Sequence, residues 1–266
     1  MVLKNLHVLI TAGPTREYLD PVRYITNSSS GKMGIELANS FLKKGFNVTL
    51  VCGPTSLVLP KKSKNISVVS ALEMFHVVQK KIKKVDVFVA TAAVGDWRFE
   101  KISKIKMKKN KNRFLSIKLK KNPDILAFVG EQKKKGSNLL SVGFSLETHD
   151  VETFSRGKLI NKNADLIVAN TPESFSDKNI RPVFVYKKAL SALDPHPDPL
   201  PFRERGKLLD SFLDFVEKKK HKSPLPLGEG QGEGKAVITF NKFPQISKKK
   251  CASLIVKWVE NKIKND

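Results

Sequence analysis

The sequence predicts a doubly wound α/β fold built on a mostly parallel sheet. Three observations predict it. Short apolar runs alternate with helical periods along the first 170 residues. Long polar loops leave the ends of those runs, where open sheets of this kind hold ligands. A chain of 266 residues with 40% hydrophobic content can also bury a full core.

The elements follow in order. Val8, Leu9, Ile10 and Ala12 form a strand that feeds Gly13-Pro14-Thr15. After a polar loop, Ser28-Ser29-Ser30-Gly31 precedes Lys32-Met33-Gly34 and the helical pattern Ile35, Leu37, Ala38, Phe41, Leu42, which ends at Gly45. Serine hydroxyls and backbone N–H groups at a helix start suit a phosphate or carboxylate, and Gly31 and Gly34 admit close backbone approach. The same serines also fit an ordinary N-cap and turn. Strands are expected over 47–52 and 66–69, a helix over 71–83 and a buried strand over 85–90. Farther along, 139–143 and 164–169 are strands, with a helix over 151–162 between them. The informative loops are then 11–27, 91–98, 144–148 and the stretch from 170 onward.

Composition excludes several classes. The chain has no leading signal segment and no run of about 18 apolar residues, so a cytoplasmic protein without a membrane partner is expected. Cys52 and Cys251 have neither metal-ligand nor disulfide spacing and are read as structural thiols. The formal charge of +24 is mostly lysine spread through helices and tails, not interleaved with aromatics, and AAA codons of an AT-rich genome would supply it without nucleic-acid binding. One cluster stands apart. Between Lys101 and Lys121 lie ten basic residues, Arg113 among them, and no Asp or Glu. A basic strap of this kind suits a small polyanion covered during reaction; a solvated surface loop is the other reading.

Residues 193–234 break the alternation, with PHPDPLPFRERG near the start and SPLPLGEGQGEG at the end. Codons for Pro-His-Pro-Asp-Pro-Leu-Pro, read on the opposite strand in a shifted frame, spell Gly-Glu-Gly-Gln-Gly-Glu, the residues Gly228 to Glu233. The segment is therefore read as a translated palindromic DNA element inserted between 1–192 and 235–266. Rich in Pro and Gly, it is expected to carry no chemistry. Within it, 207–220 has amphipathic helical spacing through Leu208, Leu209, Phe212, Leu213 and Val216.

Four stretches, ITAGPTREYLDPVRYITNSSSGKMG, TAAVGDWR, KNPDIL and VGFSLET, occur in an order that resembles the phosphopantothenoylcysteine synthetase family. This is the ligase domain of the bifunctional bacterial coenzyme A biosynthesis flavoprotein. The similarity covers about 5–186 and resumes weakly from 235. The resemblance implies a Rossmann-like fold and a ligase that joins 4'-phosphopantothenate to L-cysteine with CTP. In the family's reaction the carboxylate attacks the CTP α-phosphate, pyrophosphate leaves, and cysteine then displaces CMP from the acyl-cytidylate. Such chemistry needs positioning and charge neutralisation more than a nucleophile, in keeping with the lack of a Ser-His-Asp or Cys-His arrangement.

Carried over by position, the resemblance implies that Asn27 holds the acyl-cytidylate carbonyl and that Arg23 contacts the acidic substrate. Lys106 stands as the strap lysine on the triphosphate, with Lys104 as the alternative. Gly13, Ser29, Ser30, Gly31 and Lys32 belong to the phosphate cradle and the turn before it. Ala90, Thr91, Ala92 and Asp96 form a nucleotide loop. Asn122, Pro123, Asp124, Ile125, Phe144, Lys158 and Lys162 match the remaining nucleotide contacts. Lys158 and Lys162 are four apart and so share a helical face. The family further implies Mg2+ carried by the phosphates, with ligands that the sequence leaves unassigned, and a homodimer.

There are departures. Met107 replaces an aliphatic residue in the strap, and Thr148-His149-Asp150 and Ser174-Phe175-Ser176-Asp177 only approximate the family's loops. This sequence does not include the flavin-dependent decarboxylase domain that precedes the ligase in bacterial members. A separately encoded decarboxylase and a solitary synthetase are both open. A nicotinamide-dependent reductase would want Gly-x-Gly-x-x-Gly after the first strand and an acidic residue ending the second. Gly13-Pro14-Thr15-Arg16 and Cys52-Gly53 supply neither. A nucleic-acid-binding module is suggested by charge alone.

Overall fold

The computed structural model describes residues 6–108, 115–171, 179–189 and 236–265. Strand β1 (His7–Ala12) buries both of its faces, as a central parallel strand must. Val8, Ile10 and Ala12 enter one core cluster and Leu9 the other. A short ribbon follows, β2 (Arg16–Tyr18) with β3 (Tyr24–Thr26), then α1 (Lys32–Lys43) and β4 (Asn47–Cys52). Next come β5 (Lys64–Ser67), α2 (Ala71–Lys81), a 3₁₀ turn Ile82–Lys84 and β6 (Val87–Ala90). A second ribbon pairs β7 (Trp97–Phe99) with β8 (Leu119–Lys121) and leads into α3 (Ile125–Lys134). The domain closes with β9 (Leu140–Leu146), α4 (Val151–Asn161), β10 (Leu166–Asn170), β11 (Asn179–Ile180) and β12 (Val183–Ala189). Last are β13 (Ala236–Lys242), β14 (Ile246–Ser247) and α5 (Lys248–Asn265).

Eight strands form the main sheet in the order β13-β12-β10-β9-β6-β1-β4-β5. From β10 to β5 every pairing is parallel, and β12 runs antiparallel to β10. The chain winds from β1 through β4 to β5 on one side, then returns to β6 on the other. A crevice therefore opens where the loops after β1 and β6 diverge. Helices α1 and α5 cover one face, with Phe41 and Ala38 of α1 clustered with Cys251, Ile255 and Val259 of α5. Helices α2 and α3 cover the other through Met74, Val78, Ile125 and Val129. The chain divides into a unit of Met1–Tyr186 with Ile238–Asp266 and a unit Lys187–Val237.

Several boundaries differ from the sequence expectation. The strand expected over 66–69 is β5, ending at Ser67, because Val69 uses its backbone elsewhere. Its carbonyl accepts the Arg16 N–H at 2.8 Å, and its N–H donates to the Glu73 carboxylate at 2.9 Å. Glu73 also accepts the Ser70 hydroxyl, while Ser70 accepts the Glu73 N–H, a reciprocal cap that starts α2. Phe144, expected in a loop, lies inside β9, which continues to Leu146 beside Asn170 of β10. Helix α5, which the sequence reading missed, shows its buried spacing at Cys251, Ile255 and Val259. Both cysteines are free and buried; desolvation pushes the thiols up to about 11 at Cys52 and about 12 at Cys251, which removes them as nucleophiles near neutral pH. The insertion at 193–234, its amphipathic stretch 207–220, Arg113 and Ser174 to Asp177 lie outside the described residues. Among the described residues no helix is long and apolar enough to cross a membrane.

Two helical glycines give opposite expectations. A Cβ on Gly34 would lie 2.4 Å from the Ala12 Cβ and 2.7 Å from the Thr91 hydroxyl oxygen, so Gly34→Ala should destabilise by about 2 kcal/mol. A Cβ on Gly157 in α4 meets nothing within 4 Å, so Gly157→Ala should stabilise by roughly 0.5–1 kcal/mol. Urea unfolding midpoints of the two variants check both signs.

Candidate functional site

A cleft of about 750 Å³ opens at the carboxyl ends of β1, β6, β9 and β10. Its architecture begins with backbone packing. Gly13 and Gly31 both take positive φ, 74° and 78°. A Cβ on Gly31 would come within 3.0 Å of the Gly13 backbone. This contact presses the start of α1 against the end of β1. Gly31 itself is the N-cap, in left-handed conformation and without a side-chain cap bond. The serines therefore do not cap α1 as an ordinary N-cap reading expects. Ser29 Oγ accepts the Gly31 N–H at 3.3 Å and Ser30 Oγ the Lys32 N–H at 3.4 Å, both long bonds in the run-up to the helix.

A second helix start faces the same space. Asp124 caps α3 by accepting the Ala127 N–H at 2.8 Å. Both helix N-termini bring positive dipole ends and backbone N–H groups to the cleft, an anion-receiving arrangement. Between them runs the loop after β6. Thr91 donates its hydroxyl to the Thr11 carbonyl at 2.7 Å, and Ala93 N–H donates to the Gly13 carbonyl at 2.9 Å, so this loop is laced to β1. Asn27 sits across from it and donates its amide to the carbonyls of Val94 at 3.0 Å and Ala93 at 3.4 Å.

Lys158 of α4 and Lys162 at its C-cap reach the cleft but do not share a partner. Lys158 pairs with Glu147 at 2.8 Å and donates to Ser145 at 3.0 Å. The Ser145 hydroxyl donates to the same Glu147 carboxylate. Lys162 pairs with Asp124 at 2.6 Å. Burial by itself would raise the Asp124 pKa, but the hydrogen bonds from Lys162 and the Ala127 N–H outweigh it and hold the carboxyl below its ordinary value.

Of the residues singled out from sequence, Asn27, Ser29, Ser30, Gly31 and Lys32 line the cleft together with Ala90, Thr91, Ala92 and Asp96. Asn122, Pro123, Asp124, Ile125, Phe144, Lys158 and Lys162 complete the lining expected. Four lie elsewhere. Gly13 sits behind Gly31 and in front of Gly53, whose carbonyl oxygen a Gly13 Cβ would meet at 3.0 Å, so its part is to make room. Arg23 is turned to the Asp20 carboxylate and the Met107 carbonyl. Lys106 is exposed on the segment after β7, outside the cleft lining, as is Lys104. The sequence reading missed Glu147, although VGFSLET contains it, and missed Ile180 and Lys248, which join the lining from the C-terminal part of the chain. It also missed Arg98, which donates to Lys121 O at 2.6 Å and to the Asn122 side-chain oxygen at 3.0 Å. Across the Asn27–Ser30 segment lies a second cleft of about 770 Å³, bordered by Arg16, Tyr24, Thr26 and 54–56.

Among the described residues no three His, Cys, Asp or Glu side chains gather to hold a metal ion. Asp96 is the cleft carboxylate without a lysine partner in the pairs described above.

Comparison with known proteins agrees with this architecture. The model of the DNA/pantothenate metabolism flavoprotein C-terminal domain matches residues 3–192. The coenzyme A biosynthesis bifunctional protein CoaBC of Haemophilus influenzae is 47% identical over 168 residues, 63% of this chain and 41% of that protein. The chain thus spans about two fifths of the length of the curated relatives it matches. A crystal structure of the C-terminal domain of a CoaBC protein superposes with a TM-score of 0.68 at 29% identity, covering 100% of both chains. A Cab2 mutant in complex with phosphopantothenate-cysteine shares the fold, with a TM-score of 0.58 at 18% identity over 81% of this chain and 89% of that one.

Replacing Asp124 with alanine removes both the α3 cap and the Lys162 partner, and should cost about 1 kcal/mol at pH 7. Because the folded-state pKa is depressed, the contribution of the charged carboxyl is present above its unfolded value, near pH 4, and is lost as the pH falls through the folded value. Urea titrations of wild type and variant between pH 3 and 7 should converge toward the acid end.

Proposed function

Because the chain belongs to the DNA/pantothenate metabolism flavoprotein C-terminal domain family, we propose that it is a CTP-dependent phosphopantothenate-cysteine ligase of coenzyme A biosynthesis. The observation that carries the reading is the convergence on one cleft of Asn27, the Ser29–Lys32 helix start, the Ala90–Asp96 loop and the α3 cap. Separate segments of sequence that match the family in order thereby meet where a nucleotide and an acid can be held side by side. The 47% identical relative carries coenzyme A biosynthesis in its name.

In this reading the substrate carboxylate oxygen attacks the α-phosphorus of CTP, and the bond to the departing pyrophosphate breaks. The amine of L-cysteine then attacks the acyl carbon, the bond to CMP breaks, and the nitrogen gives up a proton. The protein's part is positional and electrostatic. Backbone N–H groups at the α1 and α3 starts receive phosphate oxygens. Asn27 has one amide hydrogen committed to Val94 at 3.0 Å, and its weaker contact with Ala93 exchanges for the acyl oxygen. Lys158 and Lys162, already oriented by Glu147 and Asp124, border the nucleotide. Lys106, on the strap, follows the pyrophosphate as it forms, with Lys104 as its alternative; a point charge on a flexible stem suits that task. Mg2+ would arrive on the nucleotide's phosphates and supply charge neutralisation; Asp96, in the cleft lining, is the carboxylate that would hold it. A cytoplasmic homodimer, with the decarboxylation of its product carried by another polypeptide or domain, belongs to the same proposal.

Pyrophosphate release from the purified chain with 4'-phosphopantothenate should require CTP, with ATP a poor substitute. Asn27→Asp should lower amide formation on the order of a hundredfold while acyl-cytidylate accumulates. Lys106→Gln should lower pyrophosphate release by roughly tenfold, and Lys104→Gln should not. Full product formation by Asn27→Asp would refute the role given to that amide.

A further inference from the structure

Asp20 opens the turn Asp20-Pro21-Val22-Arg23 and is fully buried, yet it lines neither cleft. Its carboxylate is surrounded by donors. Oδ1 accepts the backbone N–H groups of Val22 and Arg23, both at 2.9 Å. Oδ2 accepts Arg23 Nε at 3.0 Å, Arg23 Nη2 in a shorter contact, and the backbone N–H of Met107 at 3.1 Å. Met107 adjoins Lys106. Arg23 Nη2 donates in turn to the Met107 carbonyl at 3.0 Å, and the Ser103 N–H donates to the Leu19 carbonyl at 2.9 Å. Residues 103–107 are thus stitched to the 19–23 turn at three backbone atoms, two of them through the Asp20–Arg23 pair. The Arg23 guanidinium above all, with the backbone N–H groups of Val22, Met107 and Arg23, holds the Asp20 carboxyl far below the usual carboxylate range, so the tie is charged at any working pH.

We propose that Asp20 is a positioning residue that sets Arg23 and the strap around Lys106 from one carboxylate. The proposal rests on the ligase reading and goes beyond it: Asp20 holds directly the arginine that this reading sets against the acid, and reaches the strap lysine through its neighbour Met107. One oxygen, Oδ2, receives both the guanidinium and the strap N–H. An anion that draws Arg23 away therefore changes the hold on Met107, and a displaced strap changes the hold on Arg23. Binding of the acid and placement of the nucleotide's lysine are coupled through this atom.

Two variants separate coupling from mere support. Asp20→Asn keeps the shape but replaces one oxygen with an NH2 that faces donors, so it disrupts both ties. Met107→Pro removes the strap N–H and leaves the buried carboxylate intact; it also fixes φ at 107, restricts Lys106 and closes the Lys106–107 bond to trypsin, so cleavage is read at the other lysines of the stretch. In the ligand-free full chain, both should speed trypsin cleavage within the lysine-rich 101–121 stretch about tenfold, as loss of one charge-assisted hydrogen bond allows, and the double variant should be no faster than Asp20→Asn alone. In the ligase assay Met107→Pro should raise KM for CTP about tenfold with KM for 4'-phosphopantothenate unchanged, whereas Asp20→Asn raises both. Wild-type cleavage rates in Met107→Pro, or multiplying rates in the double variant, overturn the proposal. So does an Asp20→Asn protein that folds with only kcat altered. Should Asp20→Asn fail to fold by circular dichroism, Met107→Pro still decides. A wild-type chain that makes no product overturns the ligase reading, while the cleavage comparison tests the tie by itself.

Discussion

The site depends on how closely the first turn of α1 lies against the end of β1. Gly31 and Gly34 sit where any side chain would collide with the Gly13 backbone or with Ala12 and Thr91. On the far side, Gly13 is pressed against Gly53, where an added Cβ would itself lie 1.8 Å from the Pro14 carbonyl oxygen. These contacts leave no slack. They bring backbone N–H groups of the α1 start to the crevice between β1 and β6, where sheet topology already opens a space. Gly34 in the first turn of α1, Gly31 at its cap, and Gly13 and Gly53 after β1 and β4 thus act as one packing unit, and the geometry of the cleft's helix-start surface follows from it.

Charge is organised locally within a chain of formal charge +24. Lys158 of α4 and Lys162 at its C-cap are each matched to a carboxylate, Lys158 to Glu147 and Lys162 to Asp124. Such pairing orders the long side chains and lowers the local excess of positive charge. The helix termini and backbone donors at the cleft, together with Lys32 and Lys121 in its lining, would receive an anion without reorganisation of the backbone.

The lysine-rich segment is anchored at both ends, by different chemistry. At one end the buried Asp20 holds Met107, and at the other Arg98 and Asn122 clamp the β7–β8 ribbon. Asn122 closes that clamp by donating its amide to Gly95 O at 2.7 Å and its backbone N–H to Asp96 O at 2.8 Å. The described flanks of this cationic stretch are thereby held by polar contacts between residues far apart in sequence.

Much of this was legible from the sequence. Strand and helix alternation determined the α/β class, because parallel strands covered on both faces must be apolar throughout and separated by amphipathic helices. The motif order also determined most of the cleft lining, since loops at the carboxyl ends of neighbouring strands converge whatever their length. Other features were decided only by the tertiary structure. Asp20 and Met107 are 87 residues apart, Glu147 found Lys158 across a strand end, and α5 docked on α1 after a long interruption. Val69 left its strand because Arg16 and Glu73 bonded its backbone. Local pattern records which face of an element is apolar. It carries no record of which buried donor meets which acceptor, because that is settled by packing between segments remote in the chain.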